Sequence, residues 1–558
     1  MGQPPGDVKS MEVDTWTARH QRYAMRTVKD ITFDLLRKLG LTTIVGNPGS
    51  TEETFLKNFP DDFHYVMALQ EASVVGIADG LSQGLGKPVV VNVHTGAGLG
   101  NAMGCLLTAY QNKTPLIITA GQQTREMLLL EPLLTNIEAI NMPRPWVKWS
   151  HEPARAEDVP AAFMRAYATA VQQPAGPVFL SLPMDDWEKE MEDVDVFRTV
   201  SRRVGPDPVR AREFADIIGE SRNPVLVYGA DIARSGAWDD GIRFAEKLGA
   251  KVWAAPFCER TPFPEDHALF AGSLPAAIGP ISERLSGHDL IIVIGAPVFR
   301  YYPYVPGSYL PAGARLLQVT DDPGMSAKAP VGDSLVSDSG LFLHGILPLV
   351  GQRNGAGSPE AVARAKPKTT DELPLSADRV FEVLASLCPE EFVLVEESPS
   401  NVLELQRRFV ITKPDTFYTF ASGGLGWDMP AAVGLAIAEK QTGRNRPVVA
   451  VIGDGSFQYS PQSIYTGVQE GAHVIFVVLR NEEYAILKEF AVLENTPNVP
   501  WLDLPGLDIV SLGKGYGAAT ALASTPEAIR KAFQEALESG GTSVIEIPIS
   551  GKLKPLLG

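Results

Sequence analysis

Residues 448–481, VVAVIGDGSFQYSPQSIYTGVQEGAHVIFVVLRN, constrain the chain more than any other stretch. An apolar, β-branched run at 448–452 ends in Gly453-Asp454-Gly455, and a second apolar run at 474–479 ends at Asn481, with an amphipathic segment between them. The pattern predicts a strand–helix–strand unit with parallel strands. It puts a carboxylate at the tip of one strand and an amide at the tip of the next. Such tips form the carboxyl edge of an open α/β sheet, where ligands bind. Carboxylate and amide oxygens are hard donors. Together with phosphate oxygens they suit Mg²⁺, which prefers near-octahedral oxygen coordination. Gly453 and Gly455 would let the backbone approach a diphosphate closely. A lone GDG is commonly a tight turn. The asparagine at the end of the next apolar strand makes the pattern far more specific.

The rest of the chain repeats the alternation. Val28–Leu39 carries apolar residues at helical spacing, with Gly40 as a stop signal. Strands are expected at 42–45, 65–69, 89–94, 116–120 and 178–182, with a helix over 72–85 and a turn at 46–50. A charged run at 185–195 marks a boundary. A second set of strands follows at 225–228, 252–255, 290–294 and 316–319. The Gly-, Pro- and Lys-bearing stretch 351–374 reads as a linker, followed by a helix at 377–387 and a strand at 393–395. That opening echoes residues 28–45, so the first and third domains are expected to share an architecture, with a different α/β domain between them. The fold expected is α/β, with three doubly wound parallel-sheet domains at 26–197, 205–350 and 375–550 behind a polar N-terminal extension at 1–25.

Composition removes other classes. A net charge of −17 argues against a nucleic-acid surface. Three cysteines, Cys105, Cys258 and Cys388, fit neither a disulfide framework nor a metal cluster and point to a reducing cytoplasm. No apolar run is long enough to span a bilayer, and residues 1–25 lack a signal-peptide core. Neither a nucleic acid nor a membrane is therefore expected as a partner.

Two further stretches carry chemistry. Glu71 follows the expected strand 65–69 among Leu69, Ala72, Val74 and Val75. An acid there is either partly desolvated and reactive or an ordinary solvated carboxylate at a helix start. The run His94-Thr95-Gly96-Ala97-Gly98-Leu99-Gly100 is the other. It fails as a dinucleotide loop, because Gly98-x-Gly100 is followed by Met103-Gly104 and no acid at a strand end lies about twenty residues on. His94, at a strand tip facing a cleft, suits general acid–base work, against the structural role usual for a lone histidine.

The GDG-to-Asn pattern resembles the diphosphate-binding motif of thiamine diphosphate (ThDP) enzymes. GNPGS (46–50), LQEASVVGIADG (69–80), GNAMG (100–104), TAGQQTR (119–125), VIGAPVFRY (293–301) and GGLG (423–426) narrow the resemblance to the benzoylformate decarboxylase group of ThDP-dependent 2-oxoacid decarboxylases. The resemblance implies pyrimidine-binding, central and diphosphate-binding domains in that order. It also implies a homotetramer built as a dimer of dimers, with the active site at a subunit interface. Glu71 is then the cofactor-activating acid, Ser50 contacts the substrate carboxylate and His94 handles protons near the reacting carbon. Gly423 offers its carbonyl to the aminopyrimidine, and Leu425 is the apolar wedge that bends the cofactor. Asp454, Asn481 and the carbonyl of Glu483 bind Mg²⁺, while Gly453, Gly455, Ser456, Tyr484 and Ser400 surround the diphosphate. Ile486 and Phe490 line the substrate pocket with Ser50, His94 and Tyr302.

The chain departs from the family pattern at four positions. Tyr302 stands where the family has a second active-site histidine, Pro399 where it has a threonine, Ile486 where it has a small residue and Glu489 where it has a tryptophan. The implied activity is Mg²⁺- and ThDP-dependent decarboxylation of a 2-oxoacid to the aldehyde, with carboligation as a side activity. The substrate expected is aromatic, such as benzoylformate, or a related aryl or aliphatic acid. The alternatives are a carboligase or lyase of the benzaldehyde lyase or acetolactate synthase kind, and an inactive ThDP-fold binding protein. The presence of Glu71, Asp454 and Asn481 counts against the last.

Overall fold

In the computed structural model, residues 25–353 and 366–556 are described. All of the expected extension 1–25 except Met25 lies outside them, as do residues 354–365 of the expected linker 351–374. Twenty strands are numbered here in chain order. Strands β1 (Met25–Thr27) and β8 (Glu190–Glu192) form a small antiparallel pair that ties the two ends of the first domain together. The charged run 185–195, expected only as a boundary, thus supplies a strand. The first large sheet holds β2 (Thr43–Gly46), β3 (His64–Met67), β4 (Val89–Val93), β5 (Leu116–Gln122), β6 (Ser150–His151) and β7 (Val178–Pro183). The central sheet holds β9 (Pro224–Tyr228), β10 (Val252–Ala254), β11 (Phe270–Ser273), β12 (Leu290–Ile294), β13 (Arg315–Thr320) and β14 (Asp333–Val336). The third holds β15 (Val393–Glu397), β16 (Phe417–Thr419), β17 (Val448–Gly453), β18 (Val474–Arg480), β19 (Ala519–Leu522) and β20 (Ser543–Pro548). All neighbours within the three large sheets pair in parallel. The interior strands are mostly apolar because both faces are covered by helices. Val448 to Ile452 and Val474 to Val478, for example, are wholly buried.

Strand order separates the domains. The first sheet runs β3-β2-β4-β5-β7-β6 and the third β16-β15-β17-β18-β20-β19. Counted from the start of each sheet, both orders are 2-1-3-4-6-5. The central sheet runs β11-β10-β9-β12-β13-β14, which is 3-2-1-4-5-6. The echo between the chain's first and third thirds is therefore a shared topology, and the central domain differs as expected. In the outer sheets the order reverses between β2 and β4, and between β15 and β17. Ligand crevices open at such points.

Val28–Leu39 forms a helix with the predicted bounds, ended by Gly40 at φ 70°. One local expectation fails. Strand β3 stops at Met67, and Glu71 is instead the first residue of a helix, Glu71–Leu85. Gln70 caps that helix, its side-chain oxygen accepting the Ala72 and Ser73 N–H groups. The glycines after His94, which follow the end of β4, open the 17-residue helix Thr95–Gln111. Glycine is needed there for close approach, since a Cβ on Gly98 would lie 2.9 Å from Glu71 Oε1. The sequence reading also lacks β20 and the five edge strands β6, β11, β14, β16 and β19. Edge strands of two to four residues are too short to show a period.

The first and third domains meet helix to helix. Glu71–Leu85 packs on Asp428–Gln441 so tightly that a Cβ on Gly80 would lie 2.1 Å from Ala431 O, and one on Gly434 2.0 Å from Ile77 O. Among the described residues no helix is long and apolar enough to cross a membrane.

Candidate active site

The tips of β2, β3 and β4 carry the first group of expected residues. Glu71 is buried, and its carboxylate accepts the side-chain N–H groups of Asn47 (3.2 Å) and Asn101 (3.0 Å). Two amide donors on separate oxygens fix its orientation, and no cation among the described residues pairs with it. His94 is the first residue after β4. The sharp entry into the next helix is made by Thr95, at φ 43°, a conformation unusual for a residue other than glycine. His94 Nδ1 lies 2.8 Å from Glu52 Oε2 and 3.3 Å from Thr51 Oγ1. The buried Glu52 also accepts the N–H groups of Gly49 (2.9 Å) and Gly121 (2.7 Å). Its carboxylate therefore keeps the proton on Nδ1 and leaves Nε2 as the working nitrogen. Gly49 makes this packing possible, since a Cβ there would fall 2.1 Å from His94 Nδ1. Ser50, exposed on the same turn, has no hydrogen bond to its hydroxyl among the described residues.

The tips of β15 to β18 carry the second group. Asp454 is buried and begins the short helix Asp454–Phe457. Its Oδ1 accepts the Gly455 N–H (2.9 Å) and its Oδ2 the Glu482 N–H (2.8 Å). The second bond joins it to the Asn481–Glu483 loop, which Glu482 turns sharply at φ 58°. Burial pushes the Asp454 carboxyl up to about 6, against the pull of those two N–H groups. No cationic side chain among the described residues pairs with it. Gly453 borders open space, with Ser456 Oγ the nearest atom to a Cβ there, at 4.0 Å. A Cβ on Gly455 would lie 2.5 Å from the Tyr484 ring, so glycine lets Tyr484 close over the turn.

Gly423 is exposed at φ 74°, with nothing within 4 Å of a Cβ placed on it, and Leu425 beside it is half-buried. The loop holding both is clamped from beneath by Glu397, at the end of β15. Its carboxylate accepts the N–H groups of Gly426 (2.6 Å), Trp427 (2.9 Å) and Asp428 (2.8 Å). Burial pushes Glu397 up to about 7, opposed by those three donors. Ser400 lies in the 3₁₀ turn Pro399–Asn401 after the same strand. Tyr302, from the loop after β12, is 61% exposed, and its ring meets Phe490 of the helix Ala485–Leu493 at 4.9 Å between centroids. Ile486 lies one turn before Phe490 on that helix and is half-buried.

The expected residues thus fall into two groups at equivalent edges of two sheets. Ser50, Glu71 and His94 form one, and Gly423, Leu425, Ser400, Gly453 to Ser456 and Asn481 to Tyr484 the other, with Tyr302, Ile486 and Phe490 on its wall. No hydrogen bond or ion pair among the described residues joins the two groups within one chain. Sequence reasoning missed Glu52, Asn47, Asn101 and Glu397. Only Glu397 carried a signal, an acid at the end of an apolar strand like Asp454.

The second group fits a divalent cation with a diphosphate. A buried carboxylate with no counter-ion among the described residues stands beside the loop that carries the Asn481 amide and the Glu483 carbonyl, joined to it by the Glu482 N–H. The open glycine edge at Gly453 leaves room for phosphate oxygens. No group of three His, Cys, Asp or Glu side chains suited to a metal exists among the described residues. A site made of one carboxylate, one amide and a carbonyl would not form such a group.

Comparison with known proteins bears on the family and the cofactor. The thiamine pyrophosphate enzyme N-terminal TPP binding domain matches residues 26–141, the central domain 211–346 and the C-terminal TPP binding domain 400–547. Benzoylformate decarboxylase of Pseudomonas aeruginosa is 44% identical over 528 residues, covering 94% of this chain and 99% of that protein. The crystal structure of benzoylformate decarboxylase from Polynucleobacter necessarius superposes with a TM-score of 0.94 at 68% identity, covering 95% of this chain and 100% of that one. A thiamine diphosphate-dependent 4-hydroxybenzoylformate decarboxylase of Rhodococcus jostii superposes with a TM-score of 0.91 at 38% identity, with 95% and 100% covered. The chain therefore belongs to the thiamine pyrophosphate enzyme family, as a thiamine diphosphate-dependent carboxy-lyase homologous to benzoylformate decarboxylase.

Proposed function

We propose that the protein is a Mg²⁺-dependent decarboxylase of an aryl 2-oxoacid, releasing CO₂ and the aldehyde, with carboligation to a second aldehyde as a side activity. One observation carries this reading. The two groups of residues stand at equivalent edges of sheets with the same strand order, and each holds chemistry that the other lacks. ThDP, when bound, supplies a nucleophilic carbon and an electron sink for the departing carboxylate.

The chain's own residues do the rest. Asp454, Asn481 and the Glu483 carbonyl would hold the metal, with Gly453, Gly455, Ser456, Tyr484 and Ser400 around the diphosphate. The Gly423 carbonyl and Leu425 would fix the position and bend of the cofactor, on a loop that Glu397 makes rigid. Glu71, held by Asn47 and Asn101, would exchange a proton with the aminopyrimidine. His94 Nε2 would hold or deliver a proton near the reacting carbon, and the Ser50 hydroxyl would donate to the substrate carboxylate. Phe490 and Tyr302 give the pocket an aromatic wall, which suits a planar aryl group of the kind named for the benzoylformate decarboxylase relatives.

The complete site would form between two copies of the chain, each giving one group to the other, and such dimers would pair into a homotetramer. The exposed leucines Leu129 (92%) and Leu133 (89%) on the first domain support burial against another copy. The free thiols Cys105, Cys258 and Cys388 support a reducing cytoplasm as the compartment. Incubation with ThDP, Mg²⁺ and a panel of aryl and aliphatic 2-oxoacids, with CO₂ and aldehyde measured, tests the proposal. Release of CO₂ with aryl preference is expected. Formation of 2-hydroxyketones from aldehydes, with no CO₂ from any 2-oxoacid, would instead establish the carboligase or lyase reading.

A further inference from the structure

After β20 the chain turns back across the Asp454 group of the site. Ile549 donates its N–H to Arg480 O at the end of β18 (2.9 Å). Gly551 then passes the Asn481–Glu483 loop, where a Cβ on it would lie 3.0 Å from Glu483 Oε1 and 3.7 Å from Asn481 O. Lys554 reaches two more parts of the site. Its backbone N–H donates to Glu489 Oε1 (3.3 Å), one residue before Phe490. Its ammonium donates to Ser400 O (3.2 Å) and Asn401 Oδ1 (2.9 Å) and pairs with Glu404 Oε1 (3.0 Å). Asn401, Glu404 and Glu489 are all buried.

One residue thus joins the turn that carries Ser400 to the helix that carries Ile486 and Phe490. An ammonium has three N–H donors, and three oxygens take them here, so the side chain is held in one place. Two of those oxygens belong to the Ser400–Asn401 turn. The turn begins at Pro399, which has no N–H of its own to anchor it. The cation also offsets Glu404 and Glu489 on the side of the site where a diphosphate would add further negative charge. Nothing in a lysine close to the end of the sequence signals this role. The partners lie 65 to 154 positions away.

We propose that Lys554 is a positioning residue for the cofactor. It holds the Ser400 turn in its diphosphate-facing place and supplies a fixed positive charge beside it. The inference rests on the ThDP reading above. The full-length chain with Lys554→Met and with Lys554→Arg tests it, by calorimetric titration of ThDP in excess Mg²⁺ beside cofactor-free thermal melts. The Met variant is expected to bind ThDP about ten-fold more weakly, as for loss of a charge-assisted hydrogen bond, and the Arg variant to recover most of the affinity. In turnover the loss should fall on the apparent KM for ThDP more than on kcat. A purely structural lysine would instead lower the melting temperature and leave the ThDP affinity of the folded protein alone. Wild-type ThDP affinity within two-fold in the Met variant, or equal losses in both variants, would overturn the assignment. No ThDP uptake by the wild-type chain would overturn the cofactor reading itself, and this role with it.

Discussion

His94 owes its chemistry to a residue that no motif marks. Glu52 accepts a hydrogen bond from its Nδ1–H and is itself fixed by the N–H groups of Gly49 and Gly121, so the imidazole presents Nε2 to the cleft. Glu71 has the opposite setting, with two neutral amides and no cation on a buried carboxylate. Such a group can gain and lose a proton without breaking an ion pair. Glu71→Gln keeps the shape and removes the exchangeable proton. ThDP should still bind while kcat falls by about 10²–10⁴-fold, the usual scale for loss of an acid–base group. Cofactor titration and single-substrate kinetics check this, and a variant with most of its activity would contradict the role. Tyr302 bears on the fate of the product. A phenol is a far weaker acid than an imidazolium, so proton delivery to the reacting carbon from this side of the pocket should be slow and fall to His94. Tyr302→His should raise the ratio of aldehyde to 2-hydroxyketone. An unchanged product ratio would place Tyr302 in the pocket wall alone.

At the scale of elements, glycines decide how closely helices approach the chemistry. Gly434 and Gly80 let the helices Glu71–Leu85 and Asp428–Gln441 touch backbone to backbone. The contact joins the helix that begins at Glu71 to the helix that follows the Gly423–Gly426 loop, so packing error there reaches both groups of the site. Gly434→Ala puts a Cβ 2.0 Å from Ile77 O, a backbone atom that cannot turn aside. The cost should be ~1–3 kcal/mol or more, as for overpacking, seen as a lowered melting temperature. The helix Ala485–Leu493 sets pocket width. Ile486 and Phe490 are one turn apart on one face, so Ile486→Ala should widen the pocket beside the aromatic wall. The relative kcat/KM for bulkier or branched 2-oxoacids should then rise. An unaltered specificity profile would place Ile486 outside the pocket.

At the scale of the whole molecule, a buried ionic cluster locks the first domain to the central one. Lys113, just past the helix Thr95–Gln111, reaches Asp231 (2.6 Å) and Asp321 (2.5 Å), while Arg234 bridges Asp231 to Glu259 and Arg300 pairs with Glu259. The cluster lies where the central sheet's order reverses between β9 and β12, so the chain's own ions fill the crevice in which such a sheet would bind a ligand. Burial, with Asp231 adding to it, pushes the Asp321 carboxyl up from 3.8 to about 6. The folded chain then holds a proton more tightly than the unfolded chain, and stability contributed by Asp321 falls as pH rises through that interval. Asp321→Asn should flatten the melting temperature between about pH 4 and 6 relative to wild type. An unchanged slope would remove Asp321 from that pH dependence.

The sequence by itself determined what repeats locally. Short, β-branched apolar runs between turn signals fit strands covered on both faces, so β2, β4, β5, β9, β12, β17 and β18 were legible. The polar residues that end them, Asp454, Asn481 and His94, had to stand at a sheet edge. The motifs extended this to the cofactor. Tertiary structure decided whatever depends on residues far apart in the chain. Strand order gave the outer domains one topology and the central domain another. Helix capping by Gln70, with the room left by Gly98, moved Glu71 from a strand end to a helix start. The partners that tune the site, Glu52 on His94, Glu397 under Gly426 and Lys554 on Ser400, are separated from it by 29 to 154 residues. Local periodicity reports only whether a side chain faces a core. Which buried acid meets which donor is fixed by how the sheets and helices pack, and no period in the sequence carries that.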